Sequence, residues 1–250
     1  MFFPRLRKRA KWIFALLALV FAIGFVAFGV GAGGSGIGDF LSQIFNGGSG
    51  SSGPSVEDAQ AKLKKNPKDA GARLELAKAY ANDRKTTQAI AAYQAYLELK
   101  PNDRTALQAL AGLWATAAAK RERAAQQAYT AQQNLDPGQV LEVPNSPLSQ
   151  SLGTSPLTSQ LQQEAGTRFQ QTLSALQEAY TQWTNVLKQL VKLQPNDTLL
   201  LLQLGQTAER AQDTQTAISA YEKFLRLAPD DPTAPDVKRE LKRLRESSAG

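Results

Sequence analysis

The sequence predicts an all-α protein: a domain of helical repeats behind one apolar, membrane-crossing segment. Three observations carry this. Residues 55–250 are rich in Ala, Leu and Gln, which lose little on entering a helix, and no stretch alternates apolar and polar residues like a half-buried strand. Apolar residues there fall at helical spacing, and one set of offsets occurs twice. An uncharged run from Trp12 to Gly38 follows a basic leader.

Residues 1–11, MFFPRLRKRAK, form that leader. Trp12–Val30 is strongly apolar. At about 1.5 Å per residue it nearly crosses a hydrocarbon core of about 30 Å. Backbone polar groups in lipid must pair internally, so a transmembrane helix is expected over 12–32. Arg5, Arg7, Lys8, Arg9 and Lys11 precede it, and no basic residue occurs in the thirty after Val30. The positive-inside rule then puts the N-terminus in the cytoplasm and the repeats on the extracytoplasmic side of a plasma membrane. A cleaved secretory signal is the alternative, with Val30-Gly31-Ala32 as the cleavage site. The run is longer than an ordinary signal core of about 7–15 residues, which favours an uncleaved signal anchor.

Residues 33–54 are a Gly/Ser-rich tether with the composition of flexible coil. Within it, segment 37–45 places Ile37, Phe40, Leu41, Ile44 and Phe45 on one face of a short helix. That face suits the membrane interface or a docking contact, and lipid is the favoured reading. Residues 55–66 read as a helix with Ser55 as N-cap and Glu57 and Asp58 in its first turn.

The best-defined repeat spans 69–103. Leu74, Leu76, Ala77 and Tyr80 mark a first helix, Asn82-Asp83-Arg84 a turn, and Ala89, Ile90, Tyr93 and Tyr96 a second helix that Pro101 ends. Over 197–231, Leu204-Gly205, Ala217, Tyr221 and Pro229 repeat the offsets of Leu76-Ala77, Ala89, Tyr93 and Pro101. A small residue between bulky ones lets two helices approach, and an aromatic one turn on fills the gap beside it. These marks resemble the tetratricopeptide repeat, whose period is about 34 residues. Arg73 and Leu201 stand where that family has Trp, and Ala208 stands where it has Tyr, so weaker first-helix packing is expected. Pro67 lies 34 residues before Pro101, which makes 55–66 an N-terminal cap of the stack.

Between the clear repeats, degenerate ones are expected. Leu107, Leu110-Ala111 and Trp114 keep first-helix marks, and Ala125, Tyr129 and Pro137 keep second-helix marks. Leu110 to Ala125 is two residues too long, so either the turn near Lys120-Arg121 is extended or one helix is overlong. The basic cluster Lys120, Arg121 and Arg123 suits a solvated turn. Four prolines and several serines make 136–160 a loop. From about Ser159 to Gln194 the stripe Phe169, Leu173, Leu176, Tyr180, Trp183, Leu187 and Leu190 predicts one long helix, or two broken at Ala165-Gly166. Its end takes a second-helix place before Pro195. A last helix carries Val237, Leu241 and Leu244 on one face and Lys238, Arg239, Lys242, Arg243 and Arg245 elsewhere. It suits a solenoid cap better than a lipid- or nucleic-acid-binding helix, because Glu240 and Glu246 dilute its charge.

The chain has no Cys and no His, which excludes thiolate and His-based catalysis, disulfides and His or Cys metal sites. Its glycines lack the Lys-Ser/Thr and preceding strand of a phosphate loop. An enzyme is not expected, nor a cofactor or metal. Of the net charge of +7, +4 lies in residues 1–54 and acts as a topology signal, so no nucleic-acid partner is expected.

The resemblance implies a TPR-like α-solenoid whose first helices line a concave groove for a peptide or partner helix. Lys78, Asn82, Gln108, Gln206 and Glu209 are the polar residues expected there, and the basic carboxylate clamp of chaperone-binding relatives is not reproduced. The expected partners are other proteins or peptides through the groove, and membrane lipid through 12–32. The function expected is a membrane-anchored, bacterial-type scaffold that assembles or chaperones envelope or secreted proteins. The alternatives are a structural subunit of a membrane complex, or an accessory module of an envelope enzyme system such as cytochrome or cell-wall assembly.

Overall fold

The computed structural model describes residues 55–134 and 156–248. The chain divides into two units, Met1–Gly53 and Pro54–Gly250, and every described helix belongs to the second. The expected anchor 12–32, the tether with Ile37, Phe40, Leu41, Ile44 and Phe45, and most of the expected loop lie outside the described residues. Among the described residues no helix is long and apolar enough to cross a membrane.

Among the described residues eight helices run in order: α1 Val56–Lys65, α2 Ala70–Asn82, α3 Thr86–Leu97, α4 Arg104–Asn134, α5 Pro156–Leu193, α6 Thr198–Arg210, α7 Thr214–Leu227 and α8 Ala234–Ser248. Each packs chiefly on its neighbours in sequence, as stacked helical repeats do. The starts are written in the sequence. Side chains of Ser55, Asp69, Asp103, Asp197 and Asp213 accept hydrogen bonds from Asp58, Ala72, Ala106, Leu200 and Thr216 N–H groups at 3.0–3.1 Å. Each satisfies a donor that the first helical turn leaves unpaired.

The α2–α3 and α6–α7 pairs are built alike. Ala77, Ala89 and Tyr93 are all buried in the first pair; in the second, Gly205 faces the buried Tyr221 ring and Ala217 shares its cluster. Each pair turns through one left-handed residue, Arg84 at φ 57° and Gln212 at φ 58°. The three departures expected to weaken packing are compensated. Arg73 donates to the Pro67 carbonyl from Nε and Nη2 (3.2 and 2.8 Å) and to the Ala95 carbonyl from Nη1 (2.9 Å), so it ties α2 to two neighbouring segments. Leu201 joins Ala208, Tyr221, Phe224, Val237, Leu241 and Leu244 in one buried cluster, which α8 closes as expected. Most basic residues of α8 face acids: Arg239 meets Asp236, Arg243 meets Glu240 and Glu209, and Arg245 meets Glu222.

The middle of the chain corrects the expected repeat. There is no turn at Lys120-Arg121; α4 is one helix of 31 residues, so Ala125 and Tyr129 share a helix with Leu110 and Trp114. The cause is local: after Gly112 the described segment contains no Gly or Pro, and Ala117-Ala118-Ala119-Lys120-Arg121-Glu122 is a run of strong helix formers. Of the two readings for the next segment the single helix holds: α5 runs unbroken for 38 residues through Ala165-Gly166, but it starts at Pro156, inside the expected loop. Proline is tolerated at a first helical position, where its missing N–H is not needed.

The two long helices are antiparallel. Tyr180 Oη donates to the Glu122 carboxylate, and farther out the Tyr129 ring lies 5.8 Å from that of Phe169. Burial divides them. In α4 the buried residues concentrate in Ala106–Ala118, and in α5 those among the described side chains start at Ala179. So the first half of α4 pairs with the last part of α5 inside the stack, and the rest of both forms an arm.

Candidate functional site

The five residues expected to meet a partner fall in two groups. Lys78 and Asn82 are exposed on α2, one turn apart, and Gln108 is half-buried on α4. Lys78 stands near enough to Asp103 to favour its carboxylate. Gln206 is exposed and Glu209 half-buried on α6, beyond α5. Lys78 and Gln206 hold the same register, 128 residues apart, and neither hydrogen-bonds a described residue through its side chain.

Glu209 differs from the others. Its Oε2 accepts from Tyr221 Oη at 3.1 Å, and its Oε1 accepts from Arg243. It therefore joins α6, α7 and α8, and a partner reaching it would compete with those bonds. Burial first, then the Glu209 carboxylate, pushes the Tyr221 hydroxyl well above the usual phenol range.

Leu199, which sequence reasoning passed over, is 63% exposed. It lies seven residues before Gln206, hence on the same side of α6. A solvated leucine beside a free amide pairs an apolar contact with a hydrogen-bonding group, which suits an extended peptide.

A second constellation lies where the arm leaves the stack. Arg210 Nη1 donates to Glu122 Oε1 (2.6 Å) and to Tyr180 Oη (2.7 Å), and its guanidinium lies 5.5 Å from the Tyr180 ring centroid. Nearby, Gln177 Nε2 donates to the Ala211 carbonyl (2.5 Å), and Lys188 pairs with Asp213 (2.7 Å). These bonds fix α5 against α6. Burial and the Glu122 carboxylate push the Tyr180 hydroxyl up, against the opposing effect of Arg210. At the same level Arg121 lies 5.8 Å from the Trp114 ring, and Trp183 stacks on Tyr180 at 6.2 Å. Lys120, Arg121 and Arg123 thus belong to a helix and not to a turn.

Burial raises the Asp103 carboxyl, but hydrogen bonds from Tyr96 Oη (2.6 Å) and the Ala106 and Thr105 N–H groups outweigh it and hold the group below its usual range. Asp213 behaves alike: Lys188 and Thr216 outweigh its burial.

A protein-family model described as Tetratricopeptide repeat matches residues 55–104 and 184–232. The first match covers α1–α3; the second covers the end of α5 with α6 and α7, and both leave out the arm. No curated protein is significantly similar to the chain.

Proposed function

We propose, from the premise that the chain is a tetratricopeptide repeat protein, that it is a membrane-anchored scaffold which assembles or chaperones envelope or secreted proteins. The repeats suggest protein–protein interaction, and this repeat family is non-catalytic. The observation that carries the reading is the pair Lys78 and Gln206. They occupy one register on first helices of two repeats, exposed and without side-chain hydrogen bonds to described residues, with Leu199 exposed beside the second. Polar groups already repeated at one spacing lose little entropy on meeting an extended chain.

The extracytoplasmic placement rests on five basic residues before Trp12 and none from Trp12 to Ala61. Two measurements on the full-length chain test the proposal. The chain has no Cys, so Ser219→Cys, at an exposed site on α7, supplies a single reporter thiol. Its labelling by a membrane-impermeant maleimide in intact cells is the expected result; labelling only after lysis would place the repeats in the cytoplasm. Photo-crosslinkers at Lys78 and Gln206 should capture one set of envelope or secreted proteins that a crosslinker at Lys238 on α8 does not. Equal capture at all three positions would refute a groove-based scaffold.

A further inference from the structure

The surface chemistry of the α4–α5 hairpin changes where it leaves the stack. Residues 124–134 carry no charge, and 156–177 carry only Glu164 and Arg168. Residues 197–248 carry 17 charges, so the depletion belongs to the arm and not to the domain. Helices that face water ordinarily cover that face with charge, whereas charge depletion marks the centre of an interface. Apolar groups also stand in solvent here: Tyr129 is 44%, Leu161 42% and Leu173 38% exposed.

A two-helix arm has one internal seam. Phe169 and Tyr129 meet across it. Beside that seam, Leu161, Glu164, Arg168, Gln171 and Ala175 succeed one another at alternating spacings of three and four, one continuous face of α5. The first four are exposed and Ala175 is half-buried. Glu164 and Arg168 stand at the spacing of an intrahelical ion pair, yet among the described residues neither forms one; Glu164 only accepts from Gln160 at 3.4 Å.

We propose that the arm is a self-association element, through which two copies of the chain pair antiparallel along this α5 face. The two charges decide the occupant. They have opposite sign and lie symmetrically about position 166, so a two-fold axis there sets Glu164 of each copy against Arg168 of the other. The same operation lays Leu161 over Gln171 of the second copy. The face is thus complementary to itself. With no net charge it neither selects an acidic or basic partner nor repels its own copy. Exposed ion pairs contribute little, so the pairing is weak in free solution and grows when anchoring raises the local concentration. Pairing through the arm does not depend on what the groove binds.

The test is charge-swap complementation between two differently tagged full-length chains, read as the fraction of one that co-purifies with the other. Both sites are exposed, so the fold is unaffected, and circular dichroism checks it. Glu164→Arg in both chains gives like charges across the axis, as does Arg168→Glu in both; each should lower co-purification several-fold, and Leu161→Glu should do the same. Glu164→Arg in one chain with Arg168→Glu in the other restores both pairs and should return the wild-type yield. Co-purification that ignores every swap, that falls in the singles without recovering in the mixed pair, or that is absent in the wild type overturns the proposal.

Discussion

Substituting Gly205 by Ala tests how tightly α6 closes on α7. A Cβ at Gly205 would lie 2.3 Å from Tyr221 Cε1, 2.4 Å from Cδ1 and 2.9 Å from Cζ. Carbon atoms settle at about 3.5–4.0 Å, so the ring would have to withdraw by about 1 Å or more. It has nowhere to go. The ring is 2% exposed in the cluster with Phe224, Val237 and Leu241, and its hydroxyl is held by Glu209, which Arg243 holds in turn. Overpacking a core costs about 1–3 kcal/mol, against about 0.8–1.0 kcal/mol gained by replacing Gly with Ala inside a helix. Because three ring atoms clash and the ring is anchored, the upper part of the first range applies, and the net loss is about 1–2 kcal/mol. For a domain of this size Tm should fall by about 2–8 °C. The urea midpoint of the 54–250 unit should fall with an unchanged slope. The first repeat supplies the contrast: Ala77 and Tyr93 hold the registers of Gly205 and Tyr221, both are buried, and the Tyr93 hydroxyl bonds no described residue. There Ala77→Gly should destabilise by about 1 kcal/mol or more through lost helix propensity and a lost buried methyl. A Gly205→Ala protein that melts at or above the wild-type temperature would show that the Tyr221 ring moves aside freely, and would refute the packing argument.

Further outcomes rest on other particular residues. Arg84→Gly and Gln212→Gly relieve left-handed residues at φ 57° and 58°; the relief of about 1–2 kcal/mol exceeds the entropy cost of Gly, so each should stabilise by about 0.5–1 kcal/mol in urea titrations, and a loss would mean that the native side chain supplies contacts worth more than the strain. Thr184 is 2% exposed and its hydroxyl has no hydrogen-bond partner among the described residues; Thr184→Val should be neutral or stabilising by up to about 1–2 kcal/mol, and a drop of more than about 1 kcal/mol in chemical denaturation would mean that the hydroxyl is hydrogen-bonded in solution. The Asp103 and Asp213 carboxyls titrate below their usual range in the folded chain, so the folded state binds fewer protons there than the unfolded one. Their stabilisation is complete above the unfolded value of about 4 and is lost as pH falls through the lowered folded values. Urea midpoints measured from about pH 6 to 3 should therefore hold steady and then drop, and Asp103→Asn or Asp213→Asn should flatten the acid limb. A limb unchanged in both variants would assign it to other carboxylates.

The repeats were legible because their marks are local. A cap, a small residue and an aromatic at fixed offsets need nothing beyond one helix pair, and Ser55, Ala77 and Tyr93 announce themselves. The continuity of α4 was only half legible. The two-residue misfit between Leu110 and Ala125 was its sign, and the absence of any turn-forming residue near Lys120 its cause. Side-chain commitments across helices left no sequence signal. Glu209 looks like a free groove residue until α8 brings Arg243 to it from 34 residues away. Leu199 hides in the run Leu199–Leu202, which looks like core throughout. At 3.6 residues per turn four consecutive leucines cannot all face inward, so one had to stand in solvent, but only the packing of α6 decides which.

The arm sits where a repeat array can accept one. The position 34 residues after the left-handed Arg84 is Ala118, so in the middle pair the first helix simply continues where its counterparts turn. Stability in such an array comes from each pair and its nearest neighbours, so an insertion is tolerated if the paired faces survive. They do: α3 still packs on α4 and α6 still packs on α5. Lengthening a closed loop costs only about 0.6 kcal/mol per doubling, and an insertion whose own two helices zip together as a hairpin reduces even that. The remaining difficulty is direction, because a lever about 24–36 Å long could swing about its base. Glu122, Tyr180 and Arg210 meet at that base and bind α4, α5 and α6 together. The stack therefore determines where the arm starts and which way it points, while the sparse charges of the arm's surface are left to determine what it meets.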